Sequence, residues 1–134
     1  MSQEVNTKHE VNTKFKFNDT EYEFDMRDAD DAEKYERAIE LMQEDEKKIS
    51  MTGKLSEIYK AQCKLIKEFF DNCLEKGAGE KICTAKNNIT VHYTAYQEFL
   101  EFVRLQKEDV IRMKNAFSKY SNRNRNKKPK YKKK

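Results

Sequence analysis

The chain has 134 residues, a mass of 16.0 kDa, 39% charged residues and a mean hydropathy of −1.10. This length suits one small domain with tails, and so polar a composition leaves few residues for a hydrophobic core. Three glycines, one proline and no tryptophan argue against turn-rich sandwiches, barrels and glycine-rich nucleotide folds. The apolar runs are too short to span a bilayer, and the polar first residues do not resemble a signal peptide.

Cysteine spacing favours a protein of the reducing cytosol, and charge divides the chain into two parts. Cys63, Cys73 and Cys83 include no closely spaced pair, which argues against a disulfide framework and against zinc. Residues 1–118 hold 19 basic and 24 acidic residues, a net charge of −5, whereas residues 119–134 hold nine basic residues and no acidic one. The sequence therefore predicts an acidic body and a basic tail, residues 119–134.

The first 14 residues contain a duplicated pentapeptide, at positions 4–8 and 10–14. Two copies are too few for a repeat architecture, so we favour a flexible N-terminal segment. A strand extension is the alternative, because Val5, Val11 and Thr13 share the parity of one strand face.

Residues 15–24 alternate aromatic and charged side chains, which is typical of a β-hairpin with one buried face. The predicted turn is at Asp19 and Thr20. An isolated hairpin is marginally stable in water, so its aromatic face is expected to pack on the helices that follow. The predicted pairs are Phe17 with Tyr22, Phe15 with Phe24, Lys16 with Glu23 and Lys14 with Asp25.

Three segments with apolar residues at helical spacing predict helices at residues 28–49, 55–76 and 89–118. Acidic residues from Asp25 to Glu33 are interpreted as helix caps and not as metal ligands, because an EF-hand loop requires a central glycine. A short turn at residues 80–85 is expected to point Ile82 inward.

The predicted fold is mainly α: an N-terminal β-hairpin packed on a small bundle of three helices, the last one long, followed by a disordered basic C-terminal tail. The domain boundaries are a flexible segment or strand extension at 1–14, a helical domain with the hairpin at 15–118, and the basic tail at 119–134. The second half of the last helix retains few apolar residues among many charges. Because so small a chain cannot cover that half, it is expected to overhang the core or to pack on a partner, and the residues predicted to bind a partner are Val110, Met113 and Phe117.

The sequence shows no arrangement typical of an enzyme. It has no GxGxxG or GxxxxGK[ST] motif, and its two histidines are isolated; we interpret His92 as a surface or boundary residue. We predict a non-enzymatic protein with no catalytic residues, no metal and no cofactor. For four aromatic residues of the last helix, core packing is favoured over a base-stacking platform: Tyr93, Tyr96, Phe99 and Phe102.

The basic tail is the strongest functional feature of the sequence. So many like charges repel one another, and only Tyr131 offers a large apolar group near the end, so the tail is expected to be disordered in isolation. It should attract RNA, DNA or an acidic protein surface without reading bases. The residues predicted to bind polyanions are Arg123, Arg125, Lys127, Lys128, Lys130, Lys132, Lys133 and Lys134.

Five segments share a pattern with known proteins, at residues 15–24, 28–38, 54–71, 86–88 and 120–125. Together they resemble short phage and prophage proteins of Gram-positive bacteria, which belong to families of unknown function in tail or structural gene modules. In size and layout these proteins are similar to tail assembly chaperones. The basic C-terminal segment of this chain is longer than the resemblance would lead one to expect.

The resemblance implies a non-enzymatic helper in virion tail assembly, acting in the cytoplasm of a bacterial host. Such a chaperone coats a helical tape-measure protein until tail-tube subunits replace it, so the implied partner is a helical tail protein. We also expect a homo-oligomer, formed through the last helix or the hairpin edge. The alternative function is a small oligomeric nucleic-acid-associated protein that uses the basic tail.

Overall fold

The structure is a computed structural model that describes the backbone of residues 11–132 and the side chains of residues 11–121. Within that part of the chain it is mainly helical, with an N-terminal antiparallel hairpin and a long last helix, as predicted. The duplicated segment therefore lies largely outside the described residues. The elements are β1 (Lys14–Phe17), β2 (Thr20–Glu23), α1 (Ala29–Glu46), α2 (Leu55–Cys73), α3 (Ala78–Cys83) and α4 (Ile89–Lys132).

The hairpin register differs from the predicted one by two residues. The two-residue turn is formed by Asn18 and Asp19, with φ angles of 51° and 59°, and these residue types tolerate the left-handed region that such a turn requires. The predicted turn and pairs are therefore wrong. A shift of two residues nevertheless keeps the alternation, so the aromatic side chains still share one face. The observed pairs are Lys14 with Glu23, Phe15 with Tyr22, Lys16 with Glu21 and Phe17 with Thr20.

The hairpin turn is tied to the end of α3. The side-chain amide of Asn18 donates to the carbonyl oxygen of Ile82 at 2.9 Å, and the hydroxyl of Thr20 donates to that of Lys81 at 3.2 Å. Carbonyl groups in the last turn of a helix have no partner within the helix, so the hairpin supplies hydrogen bonds that α3 lacks. Ile82 itself is fully buried, as predicted.

Helix α1 begins at the predicted acidic cap. The carboxylate of Asp28 accepts hydrogen bonds from the backbone N–H groups of Asp30 (2.8 Å) and Asp31 (3.4 Å). The carboxylate of Asp31 accepts one from the N–H of Asp25 at 3.0 Å. Both groups also lie at the positive end of the helix dipole, which favours negative charge. The capping interpretation is confirmed for Asp28, although α1 and α2 both end earlier than predicted, at Glu46 and Cys73.

The core is an aromatic cluster where the hairpin, α2 and α4 meet. Phe99 of α4 lies at its centre, with its ring centroid 5.0 Å from that of Phe15 and 5.4 Å from that of Phe24. Phe69 and Phe70 of α2 lie on another side of the same ring, at 5.8 and 5.5 Å. These distances are typical of favourable aromatic pairs. The hairpin face is therefore packed on the helices, as predicted.

His92 is a core residue, so its interpretation as a surface or boundary residue is wrong. The side chain is fully buried, and its Nδ1 lies 2.7 Å from the carbonyl oxygen of Asn88. Burial lowers the pKa of His92, which keeps the imidazole neutral at pH 7. The residue shares the helical spacing of Ala95 and Phe99, a positional signal that its polar side chain obscured.

Helix α4 is longer than predicted. It continues beyond residue 118 to Lys132 and includes Pro129. Residues 119–128, before that proline, contain no helix breaker, and lysine and arginine are good helix formers. The helix end predicted at residue 118 is therefore wrong. The expected disorder of the tail in the isolated protein stays a prediction. The side chains of residues 122–134 lie outside the described part of the structure.

Candidate protein-binding surface

Helix α4 is held to the rest of the domain by a buried glutamine. The amide nitrogen of Gln106 donates to the carbonyl oxygens of Asn12 (2.8 Å) and Phe24 (2.9 Å), and its oxygen accepts from the N–H of Met26 (2.6 Å). Gln106 is fully buried, so one side chain satisfies three backbone groups away from water. It fixes α4 against the open end of the hairpin, where the chain enters β1 and leaves β2.

Replacing Gln106 with leucine is expected to lower the free energy of unfolding by about 2–3 kcal/mol, because buried backbone groups lose their partners. Denaturant unfolding measures the change. The matched control is Gln97→Leu, which makes the same substitution at an exposed position of α4. Equal stability of the two variants would contradict the anchoring role.

A buried carboxylate forms the next contact along α4. Asp109 is 5% exposed and accepts hydrogen bonds from Arg27 (3.0 Å) and Arg112 (3.2 Å). Arg27 also binds Asp25, and this hydrogen bond lowers the pKa of the Asp25 carboxyl. Charge-assisted bonds of this kind are stronger than neutral ones. Asp109 is the last buried residue of α4 within the residues whose side chains are described.

Beyond Asp109 the apolar spacing of α4 continues without cover. The buried residues Phe99, Val103 and Gln106 follow alternating steps of four and three, the repeat by which one helix packs on another. The next residues in this repeat are all exposed: Val110 (42%), Met113 (66%), Phe117 (71%) and Tyr120 (64%). At about 100° per residue they fall within a sector of about 80°. We call these four residues the exposed stripe.

All three residues predicted to bind a partner lie on the exposed stripe, and binding itself stays a prediction. The sequence prediction missed Tyr120 because it assigned residues 119–134 to the tail; the three-residue step after Phe117 was the signal. Other exposed apolar residues of α4 include Leu105 and Ile111, which lie about 100° and 140° from the centre of the stripe.

The surroundings of the exposed stripe are basic. Residues 110–121 contain Arg112, Lys114 and Lys119 and no acidic residue. Lys114 lies about 80° from the centre of the stripe and Lys119 about 140° from it. Lys114 has no ion pair within residues 11–121. The sequence then adds eight basic residues, whose side chains are outside the described part of the structure: Arg123, Arg125, Lys127, Lys128, Lys130, Lys132, Lys133 and Lys134.

The reactive side chains of the described residues are mostly enclosed. Cys63, Cys73 and Cys83 are free and buried, and burial raises the pKa of Cys73 and Cys83 to about 12, so these thiols stay protonated at neutral pH.

In the described part of the chain, no group of three or more His, Cys, Asp or Glu residues could hold a metal ion. No helix there has the length and hydrophobicity needed to cross a membrane.

Residues 18–133 match a protein family described as a family of unknown function (DUF6673). The chain belongs to this family. The match begins in the hairpin turn and includes α1 to α4, so the DUF6673 region contains both the Gln106 anchor and the exposed stripe. No curated protein and no solved structure matches the chain.

Proposed function

We propose that the protein is a non-enzymatic helper of phage or prophage tail assembly that binds a helical client, in the manner of a tail assembly chaperone. The observation that carries the proposal is the exposed stripe. Its four apolar side chains are 42% to 71% exposed, although they continue the spacing of the core. A contiguous apolar surface left uncovered in water is typical of a site for another protein.

The form of the surface favours a helix as the client. Side chains in steps of four and three accept the side chains of a second helix between them, as in helix-in-groove recognition. The anchors at Gln106 and Asp109 hold α4 in place immediately before the stripe. A tape-measure-like tail protein is a client of this kind. We also propose that the protein self-associates through α4 or the hairpin edge and works in the host cytoplasm.

Co-expression with a tape-measure-like protein encoded by a neighbouring gene tests the proposal. The client should stay soluble with the unaltered protein and precipitate with the double variant Met113→Ser, Phe117→Ser. The matched control is Ile111→Ser, which removes an exposed apolar residue of α4 away from the stripe. A client that is equally soluble with the double variant, or insoluble with the unaltered protein, would contradict the proposal. Light scattering over a concentration series tests self-association.

The second candidate function is nucleic-acid association, and the charge of the C-terminal part of the chain favours it. Residues 110–134 contain eleven basic residues and no acidic one. Such a segment attracts polyanions without sequence preference, and the affinity falls steeply as salt increases.

A chain that ends at Ser121 is expected to keep its fold and its binding to an apolar client, because the core and the exposed stripe precede that point. It should lose at least about 10-fold in affinity for single-stranded RNA and much of the salt dependence, because eight phosphate-binding charges are removed. Fluorescence titrations of both chains at several salt concentrations measure this, and circular dichroism checks the fold. If RNA binding persists, the site is on the body, and nucleic-acid association becomes the better proposal.

A further inference from the structure

We infer that the exposed stripe binds an amphipathic helix that has acidic residues beside its apolar face. This inference rests on the proposed helix-binding function and adds the chemistry of the client. It follows from two independent features of α4. The apolar spacing of the core continues into the exposed stripe, and the charges beside the stripe are positive.

The apolar spacing along α4 indicates where the client would lie. Up to Gln106 the apolar face of α4 is covered by the hairpin and α2, with Phe99 and Val103 at 0% and 1% exposure. The burial of α4 ends at Asp109, but its apolar residues continue at the same spacing. A client helix on the stripe would therefore extend the packing that α4 already makes with the rest of the domain. The stripe is about 15 Å long from Val110 to Tyr120, or about three helical turns. A client segment of about that length is enough to cover it.

The charges show which helices fit. Residues 110–121 have a net charge of +3, and residues 110–134 have a net charge of +11, with no acidic residue in either range. A client with glutamate or aspartate beside its apolar face would meet Lys114 on one side and the run of basic residues beyond the stripe. A client with basic flanks would be repelled. Complementary charge also accelerates association, and salt weakens both effects.

The same charges argue against a second copy of the chain packed on the stripe in parallel, so self-association through α4 would need another arrangement. Two α4 helices packed side by side along their stripes in parallel would place two segments of net charge +11 together. Like charges at such short range oppose association, and nothing on this part of α4 compensates them, because the last acidic residue before the C-terminus is Asp109. An acidic client removes this repulsion.

Three synthetic peptides of about 21 residues, long enough to form helix, test the inference against the full-length chain. The first has leucines in steps of four and three with glutamate flanks, the second has the same leucines with lysine flanks, and the third has the glutamates with the leucines scrambled. Fluorescence anisotropy should show at least about 10-fold tighter binding of the first peptide at low salt, with the advantage shrinking as the Debye length falls. Equal binding of the scrambled peptide would overturn the inference, because the tail charges alone would then explain it.

Two pairs of matched variants locate the site. Phe117→Ser should weaken binding of the acidic peptide at least about 5-fold, whereas Ile111→Ser, which lies off the stripe, should change it less than about 2-fold. Lys114→Glu should weaken binding of the acidic peptide and strengthen binding of the basic one. Lys119→Glu should have smaller effects on both, because Lys119 lies farther from the stripe. Equal effects within either pair would overturn the placement of the client on the stripe.

The outcomes separate this inference from the function on which it rests. If both leucine peptides bind equally and both lose affinity with Phe117→Ser, the stripe binds helices and only the acidic chemistry is wrong. If neither peptide binds, the helix-binding function fails as well. If sedimentation shows a dimer that Phe117→Ser dissociates, the occupant is a second copy, and the inference is overturned.

Discussion

Replacing Phe24 with alanine is expected to lower the free energy of unfolding by about 3–5 kcal/mol. The side chain is 1% exposed, and its ring packs on Phe99 at the centre of the aromatic cluster. Truncation removes buried apolar surface and leaves a cavity that the surrounding helices can close only in part. Thermal unfolding followed by circular dichroism should show a midpoint lower by roughly 10 °C or more.

The matched control for Phe24→Ala is Phe117→Ala, the same substitution on the exposed stripe. Phe117 is 71% exposed, so its loss should change the free energy of unfolding by less than about 0.5 kcal/mol. An unchanged melting temperature for Phe24→Ala would show that the hairpin does not pack on α4. A large effect of Phe117→Ala would show that the stripe is already covered in the isolated protein, for example by a second copy.

Replacing Gly79 with alanine is expected to cost about 3 kcal/mol or more, at the upper end of the range for overpacked sites. Gly79 lies where α3 crosses α2, and a Cβ atom there would come within 2.3 Å of the carbonyl oxygen of Lys67. The backbone fixes the position of the Cβ atom and the oxygen belongs to the main chain, so no side-chain rotation relieves the contact. Separating the helices would also strain the hydrogen bond from the N–H of Gly79 to Asp71, which is 2.8 Å long. Denaturant unfolding measures the loss.

Gly77→Ala provides the comparison, because its cost would come from backbone conformation and not from a steric clash. Gly77 has a φ of +91°, and a Cβ atom there meets nothing within 4 Å. Its substitution therefore carries only the conformational cost of a left-handed backbone, about 1–2 kcal/mol. If Gly79→Ala were no more destabilising than Gly77→Ala, α2 and α3 would lie farther apart than the structure shows.

The hairpin shows which part of a fold a sequence pattern determines. Alternation of aromatic and charged residues fixed the buried face, because the period of a strand is two residues. It did not fix the pairing, because a shift of two residues preserves the same face. The pairing depends instead on which residues adopt positive φ, and here those are Asn18 and Asp19. The prediction weighted cross-strand charge pairs above turn chemistry.

The buried polar residues were missed because of their residue types, although their spacing places them on the core face of α4. Gln106 and His92 occupy core positions of α4, yet their residue types indicate a surface. Gln106 pairs with three backbone groups, and Nδ1 of His92 lies against the carbonyl oxygen of Asn88. The partners of Gln106 become visible only once the chain is folded, because Asn12 and Phe24 are more than 80 residues from it in sequence.

The candidate site was easier to predict than the anchors that position it. Val110, Met113 and Phe117 stood out because they are apolar residues in a charged segment, and the size of the chain limited how much of α4 could be covered. Tyr120 was missed because the start of the tail was set from charge alone. The point where cover ends depends on Asp109 and its contact with Arg27, and an ion pair between residues so far apart has no local sequence signal.

The geometry of α4 also has a mechanical consequence. From Asp109 to Lys132 the helix extends for about 35 Å, which makes it a lever with its pivot at the Arg27 contact. A rotation of about 10° at that pivot displaces the far end by about 6 Å, so small changes in the domain are amplified at the C-terminus. Loosening Arg27 would therefore alter where a bound helix is held more than how strongly it is held.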